Sequence, residues 1–390
     1  MDIVNLDKSY IVPSYPRQNA VFVRGEGEFL YDADGREYID FGSGIAVNGL
    51  GIKNEKWLGA VVAQLNMLPH VSNIYYSEPQ AKLARLLCER TGFKKVFFSN
   101  SGAEANECAI KCARKYSYER YGKNRYKILT LEGSFHGRTM ATITATGQEN
   151  FHTYFMPFLE GFDYAKANIE SVKEKLTDEF CAVMVELCQG EGGVNPLDKG
   201  FVKELEKFCK ERDILMIVDE VQTGNGRTGA LYAYMLYEIA PDIVTTAKGL
   251  GNGLPIGATM FSEKTADVLT AGTHGSTFGG NPLACAGAYA VIEQITDELL
   301  LGVQKRRDII IKELGQLNGV KSITGLGLML GIECGDAKKI QSLCLERGLA
   351  VLTAKDKVRL LPALNIGEEA LYKGLNILKG VINETSSKAL

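Results

Sequence analysis

Short apolar runs alternate with amphipathic stretches from about residue 80 onward, and this alternation constrains the fold more than any other feature. The runs KVFFSN, YKILTL, CAVMVEL, ILMIVDE and DIVTTAK are mostly continuous. Strands that are covered on both faces have this character, because neither face meets water. The alternation predicts βαβ units around a mostly parallel central sheet, an α/β architecture.

The two ends of the chain have a different pattern. EFLYDADGREYIDF predicts two strands around a tight turn at Asp34 and Gly35. After a predicted long helix over GGNPLACAGAYAVIEQI, the segments VKSITGLGLMLGIEC, LAVLTA and VRLLPAL predict a smaller α+β domain, with a helix over KKIQSLCLERG that ends at Gly348. We expect an N-terminal segment (1–45) that packs with the small domain, a large domain (46–290) and a small domain (291–390).

Composition and charge exclude several classes of protein. A chain of 390 residues can form more than one core and hold a cleft. It has no apolar run long enough for a bilayer, and a net charge of −3 with interspersed signs gives no basic stripe for nucleic acid. The nine cysteines are scattered, and Cys108 and Cys112 have helical rather than metal-site spacing. We therefore expect reduced thiols, no metal site, no membrane or nucleic-acid partner, and the cytoplasm.

The stretch FFSNSGAEANECAIKCARKY predicts a site for an anion. Ser101 and Glu104 form an S-x-x-E capping box that opens a helix directly after a strand. The free N–H groups of Gly102 and Ala103 would then lie at the positive end of that helix, which suits a phosphate group. An ordinary capped helix gives the same pattern, so the motif alone identifies no ligand.

Two charged residues follow predicted strands at matching positions. Asp219 ends one apolar run and Lys248 follows the next, 29 positions later (248 − 219), about the length of one crossover. Both would lie at the carboxyl edge of the sheet, where open α/β folds bind ligands. A partly desolvated lysine can form a Schiff base with an aldehyde, and the aspartate can face a cationic heteroatom. Taken singly, a capping aspartate and a solvated lysine are the commoner cases.

The glycines at 224, 226 and 229 form a G-x-G-x-x-G pattern, which would indicate an NAD-dependent dehydrogenase. Asp219 and Glu220 directly before it would repel a pyrophosphate, and the pattern does not open the first βα unit. A phosphate-binding helix start, an aspartate for a pyridinium nitrogen and a Schiff-base lysine together favour a pyridoxal phosphate site instead. A noncatalytic protein that merely retains such a fold is a third alternative.

With these motifs the chain resembles the class III, ornithine-type aminotransferases, from YDADGREYIDFGSGIAVNGLG to VRLLPAL, and within them the enzymes that act on acetylornithine. The resemblance implies fold type I of the pyridoxal phosphate transferases, with a large domain around a mostly parallel sheet and a smaller α+β domain. It implies transamination of N2-acetylornithine with 2-oxoglutarate, which gives N-acetylglutamate 5-semialdehyde and glutamate in arginine biosynthesis. Succinyldiaminopimelate, 4-aminobutyrate and ornithine are alternative amine donors.

The resemblance also implies roles for individual residues. Lys248 would be the catalytic lysine. Thr277 would reach the cofactor of a neighbouring subunit, so a complete site would need a homodimer. Glu191 would be a gate that neutralises Arg359, and Arg138 would grip a substrate carboxylate. The residues implied to bind the cofactor are Ser101, Gly102, Ala103, Phe135, His136, Asp219, Gln222, Lys248, Ser276 and Thr277; those implied to bind substrates are Arg138, Glu191 and Arg359.

The chain departs from the family pattern at four positions. Leu187 and Cys188 stand where the family usually has proline and an aliphatic residue, and Asn225 stands where a bulkier apolar residue is common. Gly44 replaces a tyrosine with which ornithine aminotransferases help to hold the free α-amino group of ornithine. An acylated amino group needs room instead, so Gly44 favours N2-acetylornithine.

Overall fold

The computed structural model describes residues 2–387; residue 1 and residues 388–390, which the domain prediction includes, lie outside the described part. The helices are α1 (Ile3–Tyr10), α2 (Ser43–Ala46), α3 (Glu55–Met67), α4 (Glu78–Thr91), α5 (Gly102–Tyr121), α6 (Met140–Ala145), α7 (Ile169–Lys175), α8 (Lys199–Glu211), α9 (Ala233–Tyr237), α10 (Pro282–Gln294), α11 (Asp297–Leu314), α12 (Ala337–Glu346) and α13 (Glu368–Ser387). Within residues 2–387, none of them is long and apolar enough to cross a lipid bilayer.

The strands form two four-stranded sheets, one seven-stranded sheet and a two-stranded ribbon. Their bounds are β1 (Phe22–Glu26), β2 (Phe29–Asp32), β3 (Glu37–Asp40), β4 (Lys95–Ser99), β5 (Lys127–Leu131), β6 (Phe162–Ala165), β7 (Phe180–Val185), β8 (Cys188–Gln189), β9 (Asn195–Pro196), β10 (Leu215–Asp219), β11 (Ile243–Thr246), β12 (Gly257–Phe261), β13 (Ser322–Leu326), β14 (Met329–Glu333), β15 (Leu349–Ala350), β16 (Leu352–Ala354) and β17 (Lys357–Leu360).

The seven-stranded sheet has the order β4-β12-β11-β10-β7-β5-β6. The neighbours from β11 to β6 pair in parallel, whereas β12 runs antiparallel to both β11 and β4. The prediction of a mostly parallel α/β sheet is confirmed, because the five predicted apolar runs are β4, β5, β7, β10 and β11. The strands β6 and β12 were not predicted.

Both faces of this sheet are covered, which explains why its strands are mostly apolar. Along β10, Met216 and Val218 belong to the apolar core that packs against α8 and α10, whereas Leu215 and Ile217 belong to the core beneath α5. Side chains of a strand alternate between the two faces. In β10, which lies between two such layers, the first polar side chain is therefore that of Asp219 at the carboxyl end of the strand.

The remaining strands lie outside the large sheet. The N-terminal strands β1, β2 and β3 form a sheet with β15, and β3 pairs in parallel with β15. The other small sheet has the order β13-β14-β17-β16 and shares an apolar core with α11, α12 and α13. The predicted hairpin at Asp34 and Gly35 joins β2 and β3. The proposed domain boundaries themselves stay a prediction.

The short helix α2 is left-handed. Its residues Ser43, Gly44, Ile45 and Ala46 have φ values of 45°, 62°, 64° and 63°. Side chains other than glycine rarely adopt this conformation, and consecutive residues do so more rarely still. The carboxylate of Asp40 accepts the N–H groups of the preceding Gly42 and of Ser43, at 2.8 Å each, and holds the start of the turn. The turn leads directly to Val47, which lines the pocket described below.

Candidate active site

A pocket of about 450 Å³ lies at the carboxyl edge of the large sheet, where β10 and β11 end beside the first turn of α5. This is the position at which open α/β sheets bind ligands. Most of the residues implied by the family resemblance face it. The lining includes Ser101, Gly102, Ala103, Phe135, His136, Arg138, Glu191, Asp219, Gln222 and Lys248.

Lys248 stands two residues after the end of β11 and begins a short 3-10 turn. Its φ is 46°, in the left-handed region. Burial lowers the pKa of its amine, and the positive charge of Arg359 lowers it further, whereas Glu191, Asp219 and Glu186 oppose that change. The lysine therefore has a larger neutral fraction at neutral pH than a solvated lysine, which a nucleophile or a base requires.

Asp219 lies one strand away, in register with Thr245 of β11. Its side chain is 4% exposed. One carboxylate oxygen, Oδ2, lies 2.8 Å from Nδ1 of His136 and accepts Nδ2–H of Asn106, also at 2.8 Å; the other, Oδ1, accepts the N–H of Val221 at 3.0 Å. These contacts fix the carboxylate at the pocket wall. Nε2 of His136 is buried and has no hydrogen-bond partner within residues 2–387.

The first turn of α5 has the predicted cap. The hydroxyl of Ser101 accepts the N–H of Glu104 at 3.2 Å. The carboxylate of Glu104 accepts the N–H of Asn100 at 2.9 Å rather than that of Ser101, so the box closes one residue earlier than a regular one. A Cβ at Gly102 would lie 2.6 Å from the side chain of Val221, so only glycine fits there without a shift. Gly102 and Ala103 both line the pocket.

Glu186 is a pocket residue that the sequence analysis missed. It follows the last residue of β7 and lines the pocket beside Asp219, with its side chain almost fully buried. Its carboxylate accepts the N–H of Phe135 at 2.7 Å. Burial raises the pKa of Glu186 to about 7. The signal was present, because a carboxylate directly after an apolar strand is the feature that identified Asp219.

Asn106 and Asn100 were also missed. Asn106 is buried on the inner face of α5, where it bonds to Asp219 and to the carbonyl of His136. It stands next to Ala105 on the apolar face of the helix, and a polar residue on a buried face is the signal that could have found it.

Arg359 lies on β17 beside the pocket and forms an ion pair with Glu191 at 2.6 Å. The arginine side chain is 4% exposed and that of Glu191 34%. Nη1 of Arg359 also lies 3.5 Å from Oε1 of Gln222, while its Nε is buried with no partner within residues 2–387. A buried guanidinium with a donor to spare can bind a carboxylate once Glu191 moves away.

Arg138 lies at the exposed side of the pocket. Its guanidinium stands over the ring of Phe151, 5.2 Å from the centroid, and that ring contacts Phe135 edge to face at 5.4 Å. Phe135 is half-buried and lines the pocket. The aromatic pair therefore supports the arginine at the entrance and leaves its charged end accessible.

Two of the implied cofactor residues do not line the pocket. Ser276 is one step away, since its hydroxyl accepts Nδ2–H of the pocket residue Asn100 at 3.2 Å. Thr277 is exposed, and so is Phe278 beside it. Within one chain, therefore, the structure does not bring Thr277 to the pocket.

The glycines from 224 to 229 form a buried loop rather than an open phosphate cradle. A Cβ at Gly226 would approach Leu364 to 3.0 Å, and one at Gly229 would clash with Gln304. Arg227 in this loop is buried and donates to the carbonyls of Leu328 and Pro362. The loop therefore connects the large sheet to the C-terminal part of the chain, and the dinucleotide interpretation has no site here.

Comparison with known proteins gives a consistent result. The family model described as aminotransferase class-III matches residues 11–382. The acetylornithine aminotransferase of Haemophilus ducreyi is 47% identical over 387 residues, covering 98% of each chain. The succinylornithine transaminase of Salmonella typhimurium is 46% identical over 384 residues, covering 95% of this chain and 94% of its own. The crystal structure of N-acetylornithine aminotransferase from Stenotrophomonas maltophilia has a TM-score of 0.86 and 34% identity, covering 99% of this chain and all of its own.

Proposed function

The chain belongs to the class-III aminotransferases, and on that premise we propose that it transfers the δ-amino group of N2-acetylornithine to 2-oxoglutarate. The products are N-acetylglutamate 5-semialdehyde and glutamate, in a reaction of arginine biosynthesis. The observation that carries the proposal is the placement of Lys248 and Asp219 in one pocket, at the ends of neighbouring parallel strands and beside the first turn of α5. The cofactor is pyridoxal 5′-phosphate.

The donor groups of the pocket fit this cofactor. The amides of Gly102 and Ala103 and the hydroxyl of Ser101 would hold the phosphate, at a helix start where glycine is sterically required. Asp219 would face the ring nitrogen, Phe135 and His136 would lie against the ring, and Gln222 would face the ring oxygen. When bound, pyridoxal phosphate supplies an electron sink for the bond broken next to the amino group.

Lys248 would carry the proton transfer. Its neutral amine, favoured by burial, can accept a proton from the carbon that bears the substrate's amino group and return it at a neighbouring position. Asp219 would keep a proton on the ring nitrogen, because a fixed and nearly buried carboxylate favours a positive charge beside it. His136 and Asn106 orient that carboxylate, and both half-reactions use the same set of groups.

The two half-reactions differ in the carboxylates they bind. N2-Acetylornithine presents one α-carboxylate, for which Arg138 at the entrance is suited. 2-Oxoglutarate presents two, and Arg359 would bind the one next to its keto group. In the first half-reaction Glu191 neutralises Arg359, and in the second Glu191 swings away. Glu191 is the more exposed partner and the glycines at 190, 192 and 193 flank it, so the carboxylate can move while the arginine stays.

Gly44 supports an acylated donor. It is exposed near the pocket-lining Val47 and has a φ of 62°. A Cβ at this position would meet only Val47 and Asn48, each at 3.6 Å, so space is available, but the left-handed backbone disfavours any larger residue. The chain therefore lacks the bulky side chain that would hold a free α-amino group. The succinylornithine relative makes N2-succinylornithine the second candidate donor.

The active assembly would be a homodimer in the cytoplasm. The exposed Thr277 and the neighbouring Phe278, 61% exposed, support this, because a second copy can cover the aromatic ring and receive the threonine at its phosphate site. All nine cysteines are unpaired and eight are buried, as expected for a protein in a reducing compartment.

The proposal is tested with purified protein, N2-acetylornithine and 2-oxoglutarate, using glutamate formation and the visible absorption of the bound cofactor. N2-Acetylornithine should have the highest kcat/KM among N2-acetylornithine, N2-succinylornithine, ornithine, 4-aminobutyrate and succinyldiaminopimelate. Lys248→Ala should abolish turnover and change the spectrum. Lys355→Ala is the matched control, since Lys355 also has a left-handed φ but is exposed and lies away from the pocket. Full activity of Lys248→Ala would refute the proposed chemistry, and a different preferred donor would refute the substrate alone.

A further inference from the structure

Asn225 departs from the family pattern, and no step of the proposed reaction uses it. It lies in the buried loop after β10, 4% exposed, with a φ of 58°. Asparagine tolerates the left-handed region better than β-branched or bulky residues do. Backbone conformation alone could therefore explain asparagine at this position, and the contacts of its side chain decide whether it has a further role.

The carboxamide of Asn225 bonds to the two residues directly before Lys248. Its Nδ2 donates to Oγ1 of Thr246 at 2.9 Å and to the carbonyl of Ala247 at 3.1 Å. Its Cβ lies 3.4 Å from where a Cβ at Gly249 would be, so the side chain packs beneath the turn that carries the lysine. Both hydrogens of the amide are thus used on the segment that ends β11.

The oxygen of the same carboxamide has no partner. Oδ1 is buried and accepts no hydrogen bond within residues 2–387. The opposite orientation of the amide would bring this oxygen against the carbonyl of Ala247, where two acceptors repel each other. A buried oxygen without a partner is energetically unfavourable. The orientation of the carboxamide is therefore explained by the two hydrogen bonds that its nitrogen donates.

The backbone at Lys248 requires such support. The residue has a φ of 46°, which L residues adopt only where their surroundings hold them in place. The carbonyl of Ala247 also accepts the N–H of Leu250 at 2.9 Å, so the turn and the amide of Asn225 hold the same oxygen. A bulky apolar residue at 225 could not donate either bond to the strand end.

We propose that Asn225 is a positioning residue for Lys248: its carboxamide clamps the peptide before the lysine and directs the amine into the pocket. This inference rests on the proposed function, in which Lys248 transfers the proton. A misplaced lysine would slow proton transfer and leave substrate binding by the arginines unchanged. The effect therefore belongs in kcat and not in KM.

Two substitutions separate the clamp from the backbone conformation. Asn225→Gly keeps the freedom to adopt a positive φ and removes the amide, whereas Asn225→Asp keeps the shape and replaces the donors by acceptors. Asn252→Gly is the matched control, because Asn252 is also buried with a φ of 45°, and its carboxamide bonds to the backbone of Leu50 and Gly51 instead of the strand end.

The measurements are kcat, KM for 2-oxoglutarate, and a pH titration of the visible absorption of the cofactor-loaded enzyme, which reports the protonation of the Lys248 nitrogen. Both Asn225 variants should lose about ten-fold in kcat with KM changed less than about two-fold. Their titration midpoint should rise, because a lysine that relaxes toward water, or that faces a new carboxylate, favours its charged form. Asn252→Gly should lower the melting temperature and leave kcat and the midpoint near the wild-type values.

Wild-type kcat and midpoint in Asn225→Gly and Asn225→Asp would overturn the inference and leave the backbone conformation as the reason for asparagine. A kcat loss in all three variants with an unchanged midpoint would also overturn it, since the role would then be general stability. A wild-type enzyme with no visible cofactor absorption would instead refute the proposed function and this inference with it.

Discussion

The seven-stranded sheet and the small sheet β13-β14-β17-β16 supply the pocket with different kinds of charge. The large sheet places Asp219 and Glu186 at the ends of β10 and β7, and hydrogen bonds fix both carboxylates. The small sheet contributes Arg359, whose partner Glu191 is half-exposed in a glycine-rich loop. In the proposed reaction Asp219 would serve both half-reactions and is held in place, whereas Arg359, which only the second half-reaction would need, has a partner that can move.

Removal of a fixed charge should have the largest effect and should not distinguish the half-reactions. Asp219→Asn keeps the size of the side chain and removes its charge, so the pocket loses the anion that would hold a proton on the cofactor ring. We expect kcat to fall by about 10²- to 10³-fold in both half-reactions, measured separately by single-turnover absorbance. Asp213→Asn is the control, because Asp213 likewise accepts a side-chain hydrogen bond, from the hydroxyl of Tyr116, but lies outside the pocket lining. A loss confined to one half-reaction would contradict the division into fixed and movable charges.

Removal of Arg359 should separate the half-reactions. In Arg359→Ala the keto acid loses the charged hydrogen bonds to its carboxylate, and we expect kcat/KM for 2-oxoglutarate to fall by roughly 10- to 100-fold. The rate of the N2-acetylornithine half-reaction should change much less. Lys357→Ala controls for damage to β17, since Lys357 lies on the same strand and bonds to Asn195 and Thr324 outside the pocket. Equal losses for donor and keto acid would show that Arg359 is not specific to the second half-reaction.

Glu191→Gln tests the movable partner itself and should have a smaller effect. The glutamine cannot neutralise Arg359, so N2-acetylornithine should lose its advantage over donors with a free second carboxylate by a factor of about 3–10, a change of the size of a surface ion pair. Glutamate turnover should stay near the wild-type rate. The measurement is the ratio of kcat/KM for N2-acetylornithine to kcat/KM for a donor with a second free carboxylate. An unchanged ratio would argue against the gate.

The same variant makes a prediction about pH. The carboxylate of Glu191 favours the charged form of Lys248, so its removal should lower the pKa of that amine further. Because the neutral amine is the active form, the acidic limb of the kcat profile should move to lower pH in Glu191→Gln. A limb that moves to higher pH would mean that the group titrating in this range is not Lys248.

The sequence predicted the large sheet well, because strands covered on both faces are mostly apolar. The charged residues that follow such runs were Asp219 and Lys248. It did not predict β12, a short run between glycine-rich segments whose direction depends on tertiary pairing with β4 and β11. Antiparallel insertion at this point has no local signal.

Other parts of the site depend on contacts between distant segments. The position of Arg359 relative to Glu191 depends on how the small sheet packs, and the family resemblance rather than the residue pattern paired them. The bonds from Asn225 to Thr246 and Ala247 join residues that are 21 and 22 positions apart in the sequence, and no local pattern predicts them. The left-handed turn at residues 43–46 was likewise unpredictable, because three of its four residues are not glycine.

Substitution of Glu220 should have the smallest effect on activity, because this buried carboxyl group does not line the pocket. It follows Asp219, but its side chain is fully buried, accepts the N–H of Tyr234 at 2.7 Å and bonds to the hydroxyl of Thr223. Burial raises its pKa from 4.5 to about 7. The folded state therefore binds a proton that the unfolded chain releases, and this stabilisation is complete below pH 4.5 and is lost as the pH rises through about 7. In Glu220→Gln the amide oxygen can still accept the N–H of Tyr234 and the amide nitrogen can donate to the hydroxyl oxygen of Thr223, so no proton is needed.

In Glu220→Gln the free energy of unfolding should fall less between pH 5 and pH 8 than in the wild type, by roughly 1–3 kcal/mol. Urea unfolding at the two pH values measures this, and kcat at pH 8 should change less than about two-fold, because the carboxylate faces the core and not the ligand. Glu238→Gln is the control, an exposed carboxylate paired with Lys203. Glu220→Gln could instead lower kcat as strongly as Asp219→Asn. The two neighbouring carboxylates, one in the pocket and one in the core, would then not have separate roles.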